Sequence, residues 1–391
     1  MTSLAPGTRP PTPLHRTESP GLRHVVVHRE SLIEHHLTFC PLPQESPEAL
    51  ARRVTRWLHD LDAIPVRLQA FGPLRAFPGF QSNLPPLSPN WPAPLTWLEG
   101  FPCPPHPQAG LAGLHAMAVS DTAVSPVLAA GNILGASFSD GHLDHVLLGN
   151  VIPPDPAAPT ATQARHTFER LQAALQTAGL NFTQVARTWL FLDDILAWYP
   201  SFNRVRRDFF QQCRVGPPLV PASTGIGARN PAGAPLVAEA WAAQPLHPNA
   251  RIAEIPSPLQ CPAPAYGSSF SRAVEMLTPD LRRILVSGTA SIDARGASLG
   301  LDDVRAQVQH TLHVLQTLLA SRGLDFSDVS RATAYLRHAA DAPAVHQALA
   351  RAGLALAPLV MTQAVVCRDE LRFELELDAL APTPGSLNPL P

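Results

Sequence analysis

At 391 residues and 42.0 kDa the chain exceeds a single small domain and has room for two or three modules, each with its own core. Hydrophobic residues make up 45% and charged residues 15%, which excludes a disordered chain, and a formal net charge of −2 with a pI of about 6.8 excludes a basic footprint for nucleic acid or anionic membrane. No apolar run approaches the roughly 20 residues that span a bilayer, and the amino-terminal MTSLAPGTRPPTPLHRTESPG lacks a signal-peptide apolar core, so a cytoplasmic protein is expected.

In chain order, residues 1–23 read as a disordered tail. EHHLTFC, SPEALARRVTRWLHDLDA and VRLQAFG then give strand, helix, strand, and APLTWLEG and GLAGLHAMAVS two further strands, a module over 24–124. The proline cluster at 81–108 reads as a long surface loop. The next module, 125–248, opens on NILGASFS and HVLLGNV as a strand pair whose tip, DGHLDH, carries the pair His142 and His145, beside Asp144. No third ligand is spaced nearby, and the tip is read as a hairpin turn rather than a metal site.

Residues 163–194 then align without a gap to residues 307–338, with 12 identities in 32 positions, which marks a duplicated fold unit. In each copy an apolar stripe at i, i+3, i+7 (Phe168, Leu171, Leu175; Leu312, Leu315, Leu319) predicts a helix. Gly179 and Gly323 stop those helices in the left-handed conformation. ARTWLFL or SRATAYL follows as a strand, then a second helix near 198–212 or 341–352, then two strands ending in PLVAEAWAA or LRFELELDA. A proline-rich linker is expected over 249–264, a third module over 265–381 and a tail over 382–391. The expected fold is α+β: tandem ββαβαββ modules, each a sheet backed by two helices, the first degenerate. Three such sheets packed about a three-fold axis make an intramolecular pseudo-trimer, expected to work as a monomer.

Near the carboxyl end, VVCRDELRFELELDA places Leu371, Phe373, Leu375 and Leu377 on one strand face and Arg372, Glu374, Glu376 and Asp378 on the other. Alone, that pattern predicts a half-buried strand with a wet side. The five cysteines lie far apart with no CxxC spacing, which suggests neither a disulfide framework nor structural zinc. Thr224 and Gly225 in PASTGIG and Thr289 in VSGTASI put hydroxyls and close-approaching backbone at strand ends, as ligand contacts or turn residues.

VLLGNVIPPD, AGLNFTQVARTWLFLDD, YPSFNRVRRDFF and PASTGIG together resemble the Rid family of imine deaminases over residues 125–380, and the tandem arrangement is similar to the chorismatases, which share that fold. The chorismatase-like motifs are PASTGIG (221–227), VSGTASI (286–292) and CRDELRFELE (367–376). Rid deaminases carry a carboxylate-binding arginine just after the proline that opens the penultimate strand; here Ala222 follows Pro221 and Leu359 follows Pro358, against imine deamination. The chorismatase resemblance implies cleavage of the enolpyruvyl ether of chorismate to pyruvate, with Glu374 as the catalytic acid. Protonating the terminal methylene carbon near neutral pH requires a carboxyl whose pKa burial has raised.

A cysteine at Cys367 with glycine at Gly288 resembles the members that make hydroxybenzoate, with Cys367 steering the opening of an arene-oxide-like intermediate and Gly288 leaving room for the ring. The product expected is 3-hydroxybenzoate, with 4-hydroxybenzoate in a subgroup serving aryl-polyene pigments and quinone precursors. The substrate's two carboxylates call for cations: Arg206, reaching across to the neighbouring module with Tyr199 on its face, then Arg214 and Arg337. Arg204 and Arg207 read as solvated, and Gln347 stands where several chorismatases have an arginine. No cofactor, metal, nucleic acid or membrane is called for. The rivals are a Rid-type enamine or imine hydrolase and a non-catalytic binding protein that has kept the cleft.

Overall fold

The computed structural model describes residues 14–84, 95–103 and 110–383. They form three units of one topology. The first holds β1 (Leu14–Ser19), β2 (Leu22–His28), β3 (Ile33–Phe39), α1 (Pro47–Asp60), β4 (Ile64–Gly72), α2 (Phe77–Ser82), β5 (Leu95–Glu99) and β6 (Gly113–Ser120). The second holds β7 (Ser125–Ala129), β8 (Asn132–Ser139), β9 (Leu143–Val151), α3 (Thr160–Thr177), β10 (Val185–Leu192), α4 (Ile195–Gln212), β11 (Ala222–Gly227) and β12 (Leu236–Pro245). The third holds β13 (Arg251–Ile255), β14 (Ala273–Leu277), β15 (Leu281–Ala290), α5 (Val304–Ala320), β16 (Val329–Leu336), α6 (Ala342–Arg351), β17 (Leu359–Gln363) and β18 (Phe373–Pro382).

The sheets run β1-β2-β3-β6-β4-β5, β7-β8-β9-β12-β10-β11 and β13-β14-β15-β18-β16-β17, six strands each. The fold is therefore α+β with three Rid-like units, but the second and third each carry one strand more than the ββαβαββ expected, and the first carries two more than the four strands read there. The extra strands are the leading ones, and they account for two corrections. Residues 14–23, expected in a disordered tail, form β1 and enter β2, and Arg251–Ile255, expected in the linker, is an edge strand paired to β14. Both stretches lack apolar alternation because an edge strand leaves one side to solvent. Of the 81–108 loop, 81–82 end α2 and 95–99 form β5, while 85–94 and 104–109 lie outside the described residues, as do 384–391 of the expected second tail.

The long helices α3 and α5 bury the predicted stripe residues Phe168, Leu171, Leu175 and Leu312, Leu315, Leu319, and end at Gly179 and Gly323 with φ of 77° and 71°. Each unit thereby closes a core between its sheet and helices. The opposite sheet faces meet in a fourth core with residues from all three units, including Phe71, Trp189 and Tyr335.

Strand register makes the units superimposable residue by residue. β4, β10 and β16 each carry a bulge followed by an arginine: Arg67, Arg187 and Arg331. Two residues on stand Gln69, Trp189 and Thr333, facing His115, Glu239 and Glu376, and four on stand Phe71, Phe191 and Tyr335. The Trp189 ring lies 3.6, 4.7 and 5.5 Å from the guanidinium carbons of Arg67, Arg187 and Arg331. Three buried cations thus surround one aromatic ring, and the Glu239 and Glu376 carboxylates compensate them.

Away from this layer, the β2–β3, β8–β9 and β14–β15 turns converge. Arg29 of the first binds Asp140 of the second and Asp280 of the third (3.0 Å), as well as Glu34. One cation ties together all three units. Within the β8–β9 turn, His145 is committed to Asp140 (2.9 Å) and the Trp241 indole (3.1 Å). Among the described residues, no group of His, Cys, Asp or Glu could hold a metal ion, and no helix is long and apolar enough to cross a membrane.

Candidate active site

The second and third units meet at β11 and β15, and beside that seam lies a cavity of about 330 Å3, within the size range of small-molecule sites. The second unit supplies Tyr199, Asn203 and Arg206 from α4 and Ser223 and Gly225 from β11. The third supplies Phe270 and Arg272, Gly288 and Ala290, Cys367 and Arg368, and Glu374 from β18.

Glu374 is only 4% exposed. The expected wet side of its strand is dry, because the second unit covers it: Glu376 and Asp378 are buried too. Glu374 makes no hydrogen bond to any described residue. Its pKa is pushed up to about 8, first by burial and then by the negative charge of Glu376, with Arg187 and Arg272 pulling the other way. It is therefore a neutral carboxylic acid at pH 7.

Glu376 has the opposite fate two residues along. Burial would raise its pKa, but Arg331 and Arg187, the Thr224 hydrogen bond and Arg67 outweigh it, and it titrates at about 2. Arg187 reaches one carboxylate oxygen at 2.7 Å and Arg331 the other at 2.6 Å. One face of β18 thus presents an ionised carboxylate to the axis and a protonated one to the cavity.

Gly288 is indispensable to this arrangement. Two residues of β15, Ser287 and Gly288, bulge opposite Glu376. A Cβ on Gly288 would lie 1.9 Å from Glu374 Oε1 and 3.2 Å from the Thr224 methyl. Gly225 opens the other wall, where a Cβ would come within 3.4 Å of the Tyr199 hydroxyl. Cys367 lines the cavity half-buried, its thiol pushed up to about 12 by burial and then by Glu374, so it stays protonated.

Among the described residues five arginines, Arg204, Arg206, Arg207, Arg272 and Arg368, line the space, and Glu374 is the only carboxyl. Arg206 is buried, its Nη2 donating to Asn203 at 2.7 Å and its guanidinium between the Phe202 and Phe270 rings at 5.6 and 5.7 Å. Arg272 donates to the Cys261 carbonyl at 2.8 and 3.1 Å, and Tyr266 lies 5.4 Å from both Arg272 and Arg368. Such a wall favours an anionic ligand, with a neutral acid at the floor of the cavity.

Glu374, Cys367, Arg206, Tyr199, Gly225 and Gly288 come together at this cavity, and the other expected site residues lie off it. Thr224 is fully buried behind the cavity, hydrogen-bonded to Arg187, Glu376 and the Gly288 N–H. Thr289 turns away from Gly288 by strand alternation and bonds the Ser287 carbonyl. Arg214 ends α4 exposed, off the cavity, and Arg337 pairs with Asp369 at 2.7 Å beside a different cavity of about 480 Å3 on the axis. Gln347 is exposed and away from the site. Arg204 and Arg207, read as solvated, stand on the cavity rim. Tyr266, Phe270, Arg272 and Arg368 escaped sequence reading; Arg368 sits inside the quoted CRDELRFELE motif, whereas Tyr266 follows a proline-rich stretch that signals only a loop.

Comparison with known proteins follows the same lines. A family model described as endoribonuclease L-PSP matches residues 262–382. A 3-hydroxybenzoate synthase from Streptomyces hygroscopicus is 26% identical over 254 residues, covering 58% of this chain and 71% of that protein. The solved structure of a chorismatase superimposes with a TM-score of 0.60 at 19% identity, covering 81% of this chain and 92% of the other. The third unit thus matches the L-PSP family model, and the chain as a whole shares the fold of the chorismatase structure.

Proposed function

We propose that the chain is a chorismatase that converts chorismate to 3-hydroxybenzoate and pyruvate. The observation that carries this reading is Glu374: a carboxyl kept neutral at pH 7, on the floor of a dry cavity whose other charges are all arginines. The similarity to a 3-hydroxybenzoate synthase supports the product, together with cysteine at 367 and glycine at 288.

In the proposed reaction, arginines of the wall hold the two substrate carboxylates, with Arg206 and Arg272 deepest. Glu374 transfers its proton to the terminal methylene carbon of the enolpyruvyl group. The ring hydroxyl oxygen attacks the neighbouring ring carbon, the bond from that carbon to the enolpyruvyl oxygen breaks, and pyruvate leaves. The hydroxyl proton returns to the Glu374 carboxylate. The resulting arene oxide opens at one carbon–oxygen bond, the carbon that keeps the oxygen loses its proton and the freed oxygen takes one up, so the ring becomes aromatic with no water or cofactor consumed. Cys367, a neutral thiol against the ring, steers which carbon–oxygen bond opens. The three units complete their seams within one chain, which supports a working monomer.

The test is incubation with chorismate, with pyruvate followed by lactate dehydrogenase and aromatic products by chromatography. Equimolar pyruvate and 3-hydroxybenzoate are expected. Turnover of imino acids without pyruvate would point to a Rid-type hydrolase, and binding without turnover to a carrier; either result removes the proposal.

A further inference from the structure

We propose that Thr224 is a positioning residue for the proton donor: its hydroxyl occupies the Glu376 carboxylate and the Gly288 N–H together, so that the proton on Glu374 stays directed at the cavity. This rests on the reading of Glu374 as the acid. The hydrogen bonds decide the direction of each proton. Thr224 Oγ1 accepts from Arg187 Nη2 at 2.6 Å and from the Gly288 backbone N–H at 3.0 Å, which uses both lone pairs. Its one hydrogen is left for Glu376 Oε2.

That same oxygen accepts from Arg187 at 2.7 Å, while Oε1 accepts from Arg331 at 2.6 Å and from the Tyr335 hydroxyl at 3.3 Å. Four donors surround Glu376, so it is held as the anion with no lone pair free for its neighbour. Glu374, two residues away on the same strand face, consequently keeps its proton unshared. The bond also crosses between units, from β11 to β18 and β15, so it links the cavity's shape to closure of the seam.

The other titratable groups around the pair keep their charges through neutral pH. Arg187, Arg331 and Arg67 face Glu376 as cations. Arg187 and Arg272 face Glu374 as cations, and burial holds Cys367, Tyr199 and Tyr335 in their neutral forms. Removing the Thr224 hydroxyl frees Glu376 Oε2 to accept from the Glu374 carboxyl. Two carboxyl groups sharing one proton release it at higher pH and present it less to a substrate.

The test compares Thr224→Val, which keeps the branched shape, with Thr224→Ser, which keeps the hydroxyl. Two readouts are taken on the full chain: the pH dependence of kcat and KM for pyruvate release, and the infrared titration of the Glu374 carboxyl, identified by its absence from Glu374→Gln. In Thr224→Val we expect kcat to fall about tenfold or more with KM little changed, and the carboxyl to titrate about one pH unit higher. Thr224→Ser restores both. If Thr224→Val does not fold, Thr224→Ala carries the same comparison. An unchanged kcat and titration in the folded variant overturns the proposal, as does a raised KM with kcat intact, which marks a substrate contact instead. Should the wild type release no pyruvate, the functional reading fails, while a shifted infrared titration still supports the positioning role.

Discussion

The seam between the first and second units is built on the same strands as the one between the second and third, and only the latter holds the candidate site. At both, a threonine accepts a backbone N–H from the neighbouring unit's bulge: Thr224 from Gly288 at 3.0 Å, and Thr96 from Asn150 at 2.9 Å. At both, an arginine of one unit binds a glutamate of the next: Arg187 with Glu376 at 2.7 Å, and Arg67 with Glu239 at 2.6 Å. Three substitutions separate them. Register places Val237 where the active seam has Glu374, Trp97 where it has Gly225, and Asn150 where it has Gly288. Trp97 fills the space with its ring, 5.2 Å from Phe80 and 5.6 Å from Phe77. The third seam has Gly113 and Met361 at the first two positions. The charged frame is thus common to these two seams, while the third has Val360 and His115 in place of the threonine and the glutamate; at the candidate site two glycines and an acid coincide as well.

Breaking that coincidence at the acid has the largest effect. Glu374→Gln is expected to lower pyruvate release by about 10²–10⁴, the range for loss of a general acid, while Val237→Ala at the equivalent place leaves it within about twofold. Kinetics with chorismate on the two purified variants decide this.

Next is the frame that both seams share. Arg29→Met leaves Asp140 with His145 alone and Asp280 without its nearest cation, while Glu34 keeps Arg283, and is expected to cost about 3 kcal/mol in urea unfolding. A loss below about 1 kcal/mol would mean the clamp is dispensable.

Gly288→Ala sharpens the comparison further, since its Cβ would meet Glu374 Oε1 at 1.9 Å and force the acid to move. About a hundredfold loss of kcat is expected, against less than about threefold for Asn150→Ala, with circular dichroism confirming that both fold. A smaller effect is assigned to the rim, where Arg204→Gln with Arg207→Gln is expected to lower kcat/KM about threefold at low salt and less at high salt, the signature of steering. Equal losses at both salt concentrations would place these arginines in direct contact with substrate.

Much of this was legible in the sequence because the repeat keeps what its fold needs inside. Gln163 and Gln307, identical in the alignment, are buried and bind loop carbonyls at the start of the equivalent helices α3 and α5, and Arg187 and Arg331 are the paired axis cations. Glu374, Cys367 and Gly288 were legible through motifs. The leading strands were not, since LHRTES and RIAEI lie at sheet edges with no apolar alternation. Nor were Tyr266, Phe270 and Arg272, whose role comes from where β11 of another unit happens to lie. Thr224 was singled out for its hydroxyl but misplaced by one layer: alternation along β11 puts Ser223 and Gly225 on the cavity and Thr224 on the axis network.

The proposed chemistry at this seam rests on Glu374 being protonated, and the pH dependence of single-turnover pyruvate release reads that state most directly. A raised carboxyl is active while protonated, so the rate should hold constant through neutral pH and fall above about 8, whereas Glu374→Gln, lower by about 10²–10⁴, should lose that fall. A rate already falling near pH 4.5, the ordinary value for a glutamate, would contradict the account.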